Sequence, residues 1–159
     1  MSDNIILLAE RLLARHLMLT IAESCTGGAL SAAITSVSGS SQWFERGFIT
    51  YSNQSKIEML GVNLNTLEKY GAVSENTAHE MALGALQNSR ADIAISITGI
   101  AGPDGGSAEK PLGTVCFGWG SYDNIQTCTE HFSGDRTSIR VEAVEFALKM
   151  LHHRLSNIQ

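Results

Sequence analysis

The stretch Ala22-Glu23-Ser24-Cys25-Thr26-Gly27-Gly28 follows an apolar run and precedes an alanine-rich one. Residues 17–21 before it predict a buried strand, and residues 29–34 after it predict a helix. Small hydroxyl residues and two glycines therefore occupy a strand-to-helix turn, whose backbone N–H groups can bind an anion or stabilise a developing oxyanion. The simpler alternative is a tight turn in which Ser24 or Thr26 caps the helix.

The composition around this turn is that of a globular protein. The chain has 159 residues, of which 43% are hydrophobic and 17% are charged, and we expect a single domain over residues 1–159. The formal net charge of −5 argues against broad nucleic-acid binding, which requires a basic face. It leaves room for a local basic pocket that holds one phosphate.

The cysteines and the amino-terminal residues bear on the compartment. The chain has three cysteines, Cys25, Cys116 and Cys128, and their odd number and wide spacing favour neither a disulfide framework nor a zinc site. No spacing of metal-ligand residues stands out, so we expect no metal and no cofactor. The first apolar run is short and acidic residues flank it, which predicts neither a signal peptide nor a membrane span. We therefore expect a cytoplasmic protein.

Hydrophobic periodicity and turn residues predict the remaining elements. Helices are predicted over 4–16, 27–37, 53–60, 65–71, 75–88 and 136–155, and strands over 17–23, 43–51, 92–98, 113–119 and 125–132. The short polar link 121–124 predicts an antiparallel hairpin. This mixture predicts an α/β fold with one mixed sheet covered by helices on both faces.

Four stretches with unusual composition each follow a predicted strand: 23–28, 51–56, 98–106 and 133–140. If those strands run in the same direction, the four stretches meet at one edge of the sheet, where open α/β sheets bind ligands. The candidate substrate-binding residues in these stretches are Glu23, Thr98, Gly99, Gly102, Asp104, Gly105, Gly106, Arg136 and Arg140.

A serine and a lysine are the best candidates for nucleophilic chemistry. None of the five histidines falls in the glycine-rich turns, so a Ser-His-Asp triad is poorly supported. Lys56 follows a strand and could be partly buried; desolvation would lower its pKa and allow it to deprotonate Ser24. The alternative is that Lys56 is a solvated lysine on a short helix.

The thiol of Cys25 competes with Ser24, because a helix amino terminus can lower a thiol pKa. With Ser24 as nucleophile, the backbone amides of Cys25, Thr26, Gly27 and Gly28 would form the oxyanion site.

An anion is expected beside these residues. Glycines in 99–106 allow the backbone to approach a phosphate or ribose closely, although the loop matches neither a P-loop nor a Rossmann fingerprint. Arg136 and Arg140 fall in the first turns of the last helix, where they oppose the helix dipole unless an anion binds. Alternatively, each pairs with a nearby acid such as Asp135 or Glu142.

Several motifs together resemble the CinA C-terminal domain family. They are Ala-Glu-Ser-Cys-Thr-Gly-Gly at 22–28, Trp-Phe-Glu-Arg-Gly at 43–47, Thr-Tyr-Ser-Asn at 50–53 with Lys56, Gly-Ala-Val-Ser at 71–74, Gly-Ile-Ala-Gly-Pro-Asp-Gly-Gly at 99–106, Lys-Pro-Leu-Gly-Thr-Val at 110–115 and Phe-Ser-Gly-Asp-Arg at 132–136. The resemblance runs from about Asn4 to Leu155 and implies a three-layer α/β/α fold.

The stand-alone PncC-type members of that family are nicotinamide-nucleotide amidases. The resemblance therefore implies hydrolysis of the carboxamide of nicotinamide mononucleotide (NMN), giving nicotinic acid mononucleotide and ammonia for pyridine-nucleotide recycling. It also implies that Ser24 attacks, that Lys56 is the base and that Tyr51 positions or relays the proton. We expect this small nucleotide to be the binding partner, with neither nucleic acid nor a membrane involved. We also expect the protein to form a homo-oligomer.

Three other functions stay open at the level of sequence. The same serine–lysine chemistry could act on a different carboxamide, because related domains can change their pocket contacts. The domain could also bind a nucleotide and regulate without catalysis, or serve only as an interaction domain. The first alternative predicts turnover of another substrate, the second predicts binding without turnover, and the third predicts neither.

Overall fold

A computed structural model describes residues 1–157 of the chain. Its helices and strands, in chain order, are α1 (Ser2–Ala14), β1 (Leu19–Glu23), α2 (Ala29–Thr35), β2 (Phe44–Ile49), α3 (Asn53–Leu60), α4 (Leu64–Tyr70), α5 (Glu75–Gln87), β3 (Ile93–Gly99), β4 (Thr114–Ser121), β5 (Asn124–His131) and α6 (Arg136–Ser156). A 3-10 turn, Ser40–Gln42, precedes β2. Each predicted element is present, and its ends lie within two residues of the predicted ones.

The five strands form one mixed sheet in the order β2-β1-β3-β4-β5. Strand β1 pairs in parallel with both β2 and β3, whereas β4 is antiparallel to β3 and to β5. The predicted hairpin between β4 and β5 is therefore confirmed. Because β4 alone is reversed, β1, β2, β3 and β5 all end at the same edge of the sheet. The four stretches chosen from the sequence begin at that edge.

Helices cover both faces of the sheet. On one face, α1, α2 and α6 bury a large cluster that includes Leu8, Leu30, Ile95, Phe117 and Leu148. On the other face, α3, α4 and α5 pack a smaller cluster. The fold is thus a three-layer α/β/α domain, as predicted. Within residues 1–157, no helix is long and apolar enough to cross a bilayer.

Side chains cap the helices that border the sheet's carboxyl edge. The hydroxyl of Ser52 accepts from the Ser55 amide at the start of α3, and Ser74 accepts from the Thr77 amide at the start of α5. In both caps, a serine in an extended conformation satisfies a free helix amide. The cap on α3 matters for the site, because α3 carries Lys56 one turn later.

Candidate active site

Ser24 lies directly after the last residue of β1, an interior strand of the sheet. Its backbone amide donates to the carbonyl of Ile97 on β3 at 2.9 Å, which prolongs the β1–β3 pairing by one residue. The Ser24 side chain is buried except for a small exposed fraction. The serine is therefore held on rigid backbone while its hydroxyl faces the sheet edge.

Lys56 is 1% exposed and its amine lies against Ser24. The Lys56 Nζ is 3.0 Å from Ser24 Oγ, 2.8 Å from the Thr50 carbonyl oxygen and 3.3 Å from the Tyr51 carbonyl oxygen. The alternative of a solvated surface lysine is wrong, because the Lys56 side chain is buried and its amine lies against the backbone carbonyls that connect β2 to α3. The predicted contact between Ser24 and Lys56 is confirmed.

Burial lowers the pKa of Lys56 to about 8, because the ammonium form loses its hydration inside the protein. A neutral amine has two N–H donors and one lone pair. The two carbonyls of Thr50 and Tyr51 can take the two donors, which leaves the lone pair for the Ser24 hydroxyl proton. Among the described residues, no carboxylate lies within ion-pairing distance of Lys56 to hold it charged.

Cys25 is buried beside Ser24, and burial raises the pKa of its thiol to about 11. The sequence suggested a thiol with a lowered pKa at the amino terminus of a helix. The structure instead places the thiol in an apolar environment, where desolvation outweighs the nearby Arg140 charge. At neutral pH Cys25 is a thiol and hence a poor nucleophile.

Glu23 does not line a ligand site. Its buried carboxylate accepts from the amides of Leu30 and Ser31 and from the Ser31 hydroxyl, at 2.9, 3.0 and 2.7 Å. These amides belong to the first turn of α2, whose N-cap residue, Gly28, provides no side-chain cap. Glu23 therefore caps α2 in place of Ser24 or Thr26, and the start of this helix is already occupied by a carboxylate.

Hydrogen bonds also constrain the turn between β1 and α2. The Gly27 amide donates to the Ser24 carbonyl oxygen at 3.0 Å, so it is not free to serve an oxyanion. Gly27 and Gly28 have φ of +58° and +100°, a region that side chains disfavour. Four backbone amides were proposed from the sequence for the oxyanion site. Those of Cys25 and Thr26 belong to the two residues that directly follow Ser24.

Tyr51 presents its backbone, rather than its hydroxyl, to the serine–lysine pair. Its carbonyl oxygen accepts from Lys56 Nζ and lies 3.5 Å from Ser24 Oγ. The phenol ring is 60% exposed, and its hydroxyl accepts from Arg136 Nη2 at 3.3 Å. The Tyr51 side chain therefore stands with Arg136 at the mouth of the site.

The two arginines of α6 differ in their contacts. Arg136 is exposed and donates to the Gly102 carbonyl oxygen at 2.7 Å as well as to Tyr51. Arg140 donates from Nε to the Cys25 carbonyl oxygen at 3.1 Å and from Nη2 to the Thr26 carbonyl oxygen at 3.0 Å. Over residues 1–157 neither arginine pairs with an acid, so the alternative that named Asp135 or Glu142 is wrong.

A cleft of about 260 Å³ opens over Ser24 at this edge. The predicted site residues that line it are Ser24, Cys25, Tyr51, Lys56, Thr98, Gly99 and Arg136. Those that do not line it are Glu23, Thr26, Gly27, Gly28, Gly102, Asp104, Gly105, Gly106 and Arg140. Residues 103–106 at the tip of this loop are exposed, whereas Gly102 is buried against Leu112.

Ala72, Val73 and Ala101 complete the lining and were not among the predicted site residues. Thr98 holds this wall, since its hydroxyl donates to the Ala72 carbonyl oxygen at 2.8 Å. The signal for the wall was the motif 71–74, in which Gly71 adopts a φ of +80°. Small apolar residues have no chemistry of their own, which is why composition did not select them.

The fold and the cleft define an α/β/α domain in which a buried lysine contacts a serine at the carboxyl edge of the parallel strands. Residues 4–155 match the family model described as CinA C-terminal domain. The chain belongs to this family.

Similar proteins extend over most of the chain. A protein of Enterobacter agglomerans named nicotinamide-nucleotide amidohydrolase PncC is 59% identical over 131 residues, which cover 82% of this chain and 80% of that protein. The protein of the same name from Escherichia coli K12 is 54% identical over 144 residues, covering 89% and 87%. The crystal structure of competence damage-inducible protein A (ComA) from Klebsiella pneumoniae superposes with a TM-score of 0.96 at 38% identity, covering 99% of this chain and 98% of that one.

Proposed function

We propose that the protein hydrolyses the carboxamide of nicotinamide mononucleotide to nicotinic acid mononucleotide and ammonia, through an acyl-enzyme formed on Ser24. The observation that carries the proposal is the 3.0 Å contact between Ser24 Oγ and the Nζ of buried Lys56. The relatives named nicotinamide-nucleotide amidohydrolase support the choice of substrate. The product would return to pyridine-nucleotide synthesis.

In the first half of the reaction, the neutral amine of Lys56 takes the hydroxyl proton of Ser24 as the serine oxygen bonds to the carboxamide carbon. The carbonyl oxygen of the substrate becomes an oxyanion. When the tetrahedral intermediate collapses, the C–N bond breaks and the Lys56 ammonium gives its proton to the departing nitrogen. Ammonia leaves, and an ester links the nicotinoyl group to Ser24.

In the second half, water replaces the serine. Lys56 is neutral again once ammonia has left, so it can deprotonate a water that attacks the ester carbon. Collapse of this second intermediate returns the proton from Lys56 to Ser24 Oγ and releases the product as a carboxylic acid, which then loses its proton to water and becomes the carboxylate. Proton transfers therefore balance over the cycle, and no other group of the chain changes its charge.

Substrate would enter from the mouth formed by Tyr51 and Arg136. Arg136 is exposed and can offer its guanidinium to the phosphate of the nucleotide. A guanidinium matches a phosphate in charge and in hydrogen-bonding geometry. Ala72, Val73 and Ala101 give one wall of the cleft small apolar side chains, and we assign the nicotinamide ring to this wall. The amides of Cys25 and Thr26 are the donors that we assign to the oxyanion.

Ammonia release from NMN tests the proposal directly. The unchanged protein should release ammonia from NMN. In Ser24→Ala and Lys56→Ala the kcat should fall about a thousandfold or more, as it does in other enzymes that lose a nucleophile or its base. Matched controls are Ser36→Ala and Lys149→Ala, which truncate exposed side chains. Both controls should keep the rate of the unchanged protein.

The other outcomes would point to different functions. Turnover that survives Ser24→Ala but not Cys25→Ala would move the nucleophile to the thiol. Turnover of another carboxamide, with none of NMN, would keep the chemistry and change the substrate. A folded protein that binds NMN but releases no ammonia would be a nucleotide-binding module.

Two statements about the surroundings of the protein remain part of the proposal. The first is a cytoplasmic location, where both the substrate and the reduced cysteines would be found. The second is assembly into a homo-oligomer. Light scattering during size-exclusion chromatography would test assembly into a homo-oligomer. A mass equal to that of the 17.1 kDa chain would contradict it.

A further inference from the structure

Arg136 and Arg140 lie one turn apart on α6, yet they face different groups. Arg136 lines the cleft and is exposed, whereas Arg140 is half-buried and reaches the turn that follows Ser24 without lining the cleft. Arg140 donates hydrogen bonds to two backbone carbonyl oxygens, those of Cys25 and Thr26. A phosphate-reading role does not account for these contacts.

The geometry of the peptide bond gives these contacts a consequence. In a trans peptide, the C=O and the following N–H point in opposite directions and lie in one plane. The Cys25 carbonyl shares its peptide plane with the Thr26 amide. Holding that oxygen at 3.1 Å from Arg140 Nε therefore fixes the direction of the Thr26 N–H on the other side of the turn.

The turn needs such a support. Gly27 and Gly28 follow directly with positive φ, and glycine has more accessible backbone conformations than other residues. The Thr26 carbonyl is held twice, by Arg140 Nη2 and by the Ala29 amide at 3.0 Å. Among residues 1–157, no other hydrogen bond reaches the Cys25 carbonyl oxygen, so loss of Arg140 would release the Cys25–Thr26 peptide.

We propose that Arg140 is a positioning residue that orients the Thr26 amide, one of the two donors assigned to the oxyanion, and polarises the Cys25–Thr26 peptide. Hydrogen bonds from a charged donor are stronger than those between neutral groups. A cation that is hydrogen-bonded to a carbonyl oxygen also makes the N–H of the same peptide a better donor. Preoriented donors stabilise the transition state more than the bound substrate. This inference rests on the proposed amidase function.

The inference makes a different kinetic prediction from a phosphate-binding role. Arg140→Gln should lower kcat on NMN by about tenfold to a hundredfold, somewhat less than direct loss of an oxyanion donor. The KM should stay within about twofold, because Arg140 does not line the cleft. An arginine that read the phosphate would instead raise KM.

Binding in the absence of turnover separates the two roles most sharply. Calorimetric titration of NMN into Ser24→Ala and into the double variant Ser24→Ala/Arg140→Gln should give the same Kd within about twofold. The matched variant Ser24→Ala/Arg136→Gln should bind NMN at least about tenfold more weakly. A loss of affinity on changing Arg140 equal to that on changing Arg136 would overturn the inference.

The conservative variant Arg140→Lys guards against a folding defect. Its single ammonium can reach one carbonyl rather than two, so we expect a kcat between those of the unchanged protein and Arg140→Gln, with an unchanged Kd. If Arg140→Gln does not fold, this variant decides, and an unchanged kcat would refute the role. If the unchanged protein releases no ammonia from NMN, the proposed function fails; if it turns over and Arg140→Gln keeps its kcat, only this inference fails.

Discussion

Lys56 Nζ lies 3.0 Å from Ser24 Oγ although 32 residues separate them in the chain. The contact exists because β1 and β2 are parallel neighbours, so Ser24 and the start of α3 emerge at the same edge. The lysine reaches the serine through the interior, which is also why its pKa falls. One arrangement thus provides both the position and the protonation state of the proposed base.

The activity should depend on pH through Lys56. Its pKa lies at about 8, below the ordinary value for lysine, so the amine is mostly protonated at neutral pH and becomes competent as the pH rises. We expect log kcat/KM for ammonia release to rise with unit slope below pH 8, to bend near pH 8 and to level off above it. Lys56→Arg should be inactive across this range because arginine stays charged. A profile that is flat from pH 6 to 9 would contradict a lysine base.

Cys25 should be dispensable for the reaction. Its thiol is buried and its pKa is raised to about 11, so it is neither a nucleophile nor readily alkylated at neutral pH. We expect Cys25→Ala to keep kcat within about fivefold and to lower stability by about 1 kcal/mol through the small cavity it leaves. Cys25→Ser, which keeps the volume, is the matched control. Rapid inactivation by iodoacetamide that NMN prevents would argue against this assignment.

Tyr51 should contribute to binding more than to proton transfer. Its carbonyl touches Lys56, whereas its hydroxyl accepts from Arg136 at the mouth of the cleft. Tyr51→Phe leaves the carbonyl in place, so kcat should change by less than about threefold while KM rises a few-fold. Steady-state kinetics on NMN separate the two constants. A hundredfold fall in kcat would restore the proton-relay role that the family resemblance implied.

Glu23 should act on stability. Glu23→Ala removes the acceptor for the buried amides at the start of α2, and we expect a loss of about 2–4 kcal/mol in the free energy of unfolding. Glu23→Gln keeps the shape but turns a donor toward donors, so it should also destabilise. Urea unfolding measures both, with Glu58→Ala on the exposed side of α3 as a control near zero. Equal stability of all variants would show that water can replace this cap.

Replacing Gly84 with alanine sets a gain in helix propensity against a steric clash in the packed structure. In an exposed helix, changing glycine to alanine stabilises by about 1 kcal/mol. In α5, however, a Cβ at Gly84 would overlap the carbonyl oxygen of Leu60 on α3. We therefore expect Gly84→Ala to destabilise by about 2 kcal/mol or more. Gly61→Ala, which meets nothing within 4 Å but has a φ of +68°, should cost only about 1 kcal/mol, and thermal unfolding compares them.

The sequence indicated which stretches of the chain contribute to the cleft, but it did not indicate the direction in which each side chain points. Ser24, Lys56, Thr98 and Arg136 were selected because polar residues follow strands, and all four line the cleft. Glu23 was selected on the same ground, but its side chain points to the other side of the turn and caps α2. Successive residues of a turn face different ways, and sequence position alone does not tell which one faces the ligand.

The sequence by itself determined the order of helices and strands, because hydrophobic periodicity and caps such as Ser52 and Ser74 act over a few residues. It also marked the edge at which the polar stretches meet. Only the tertiary structure decided that Lys56 is desolvated, that Arg140 holds backbone carbonyls and that Gly84 has no room for a methyl group. Each of these depends on the approach of residues distant in the chain, and such contacts arise only when the layers pack.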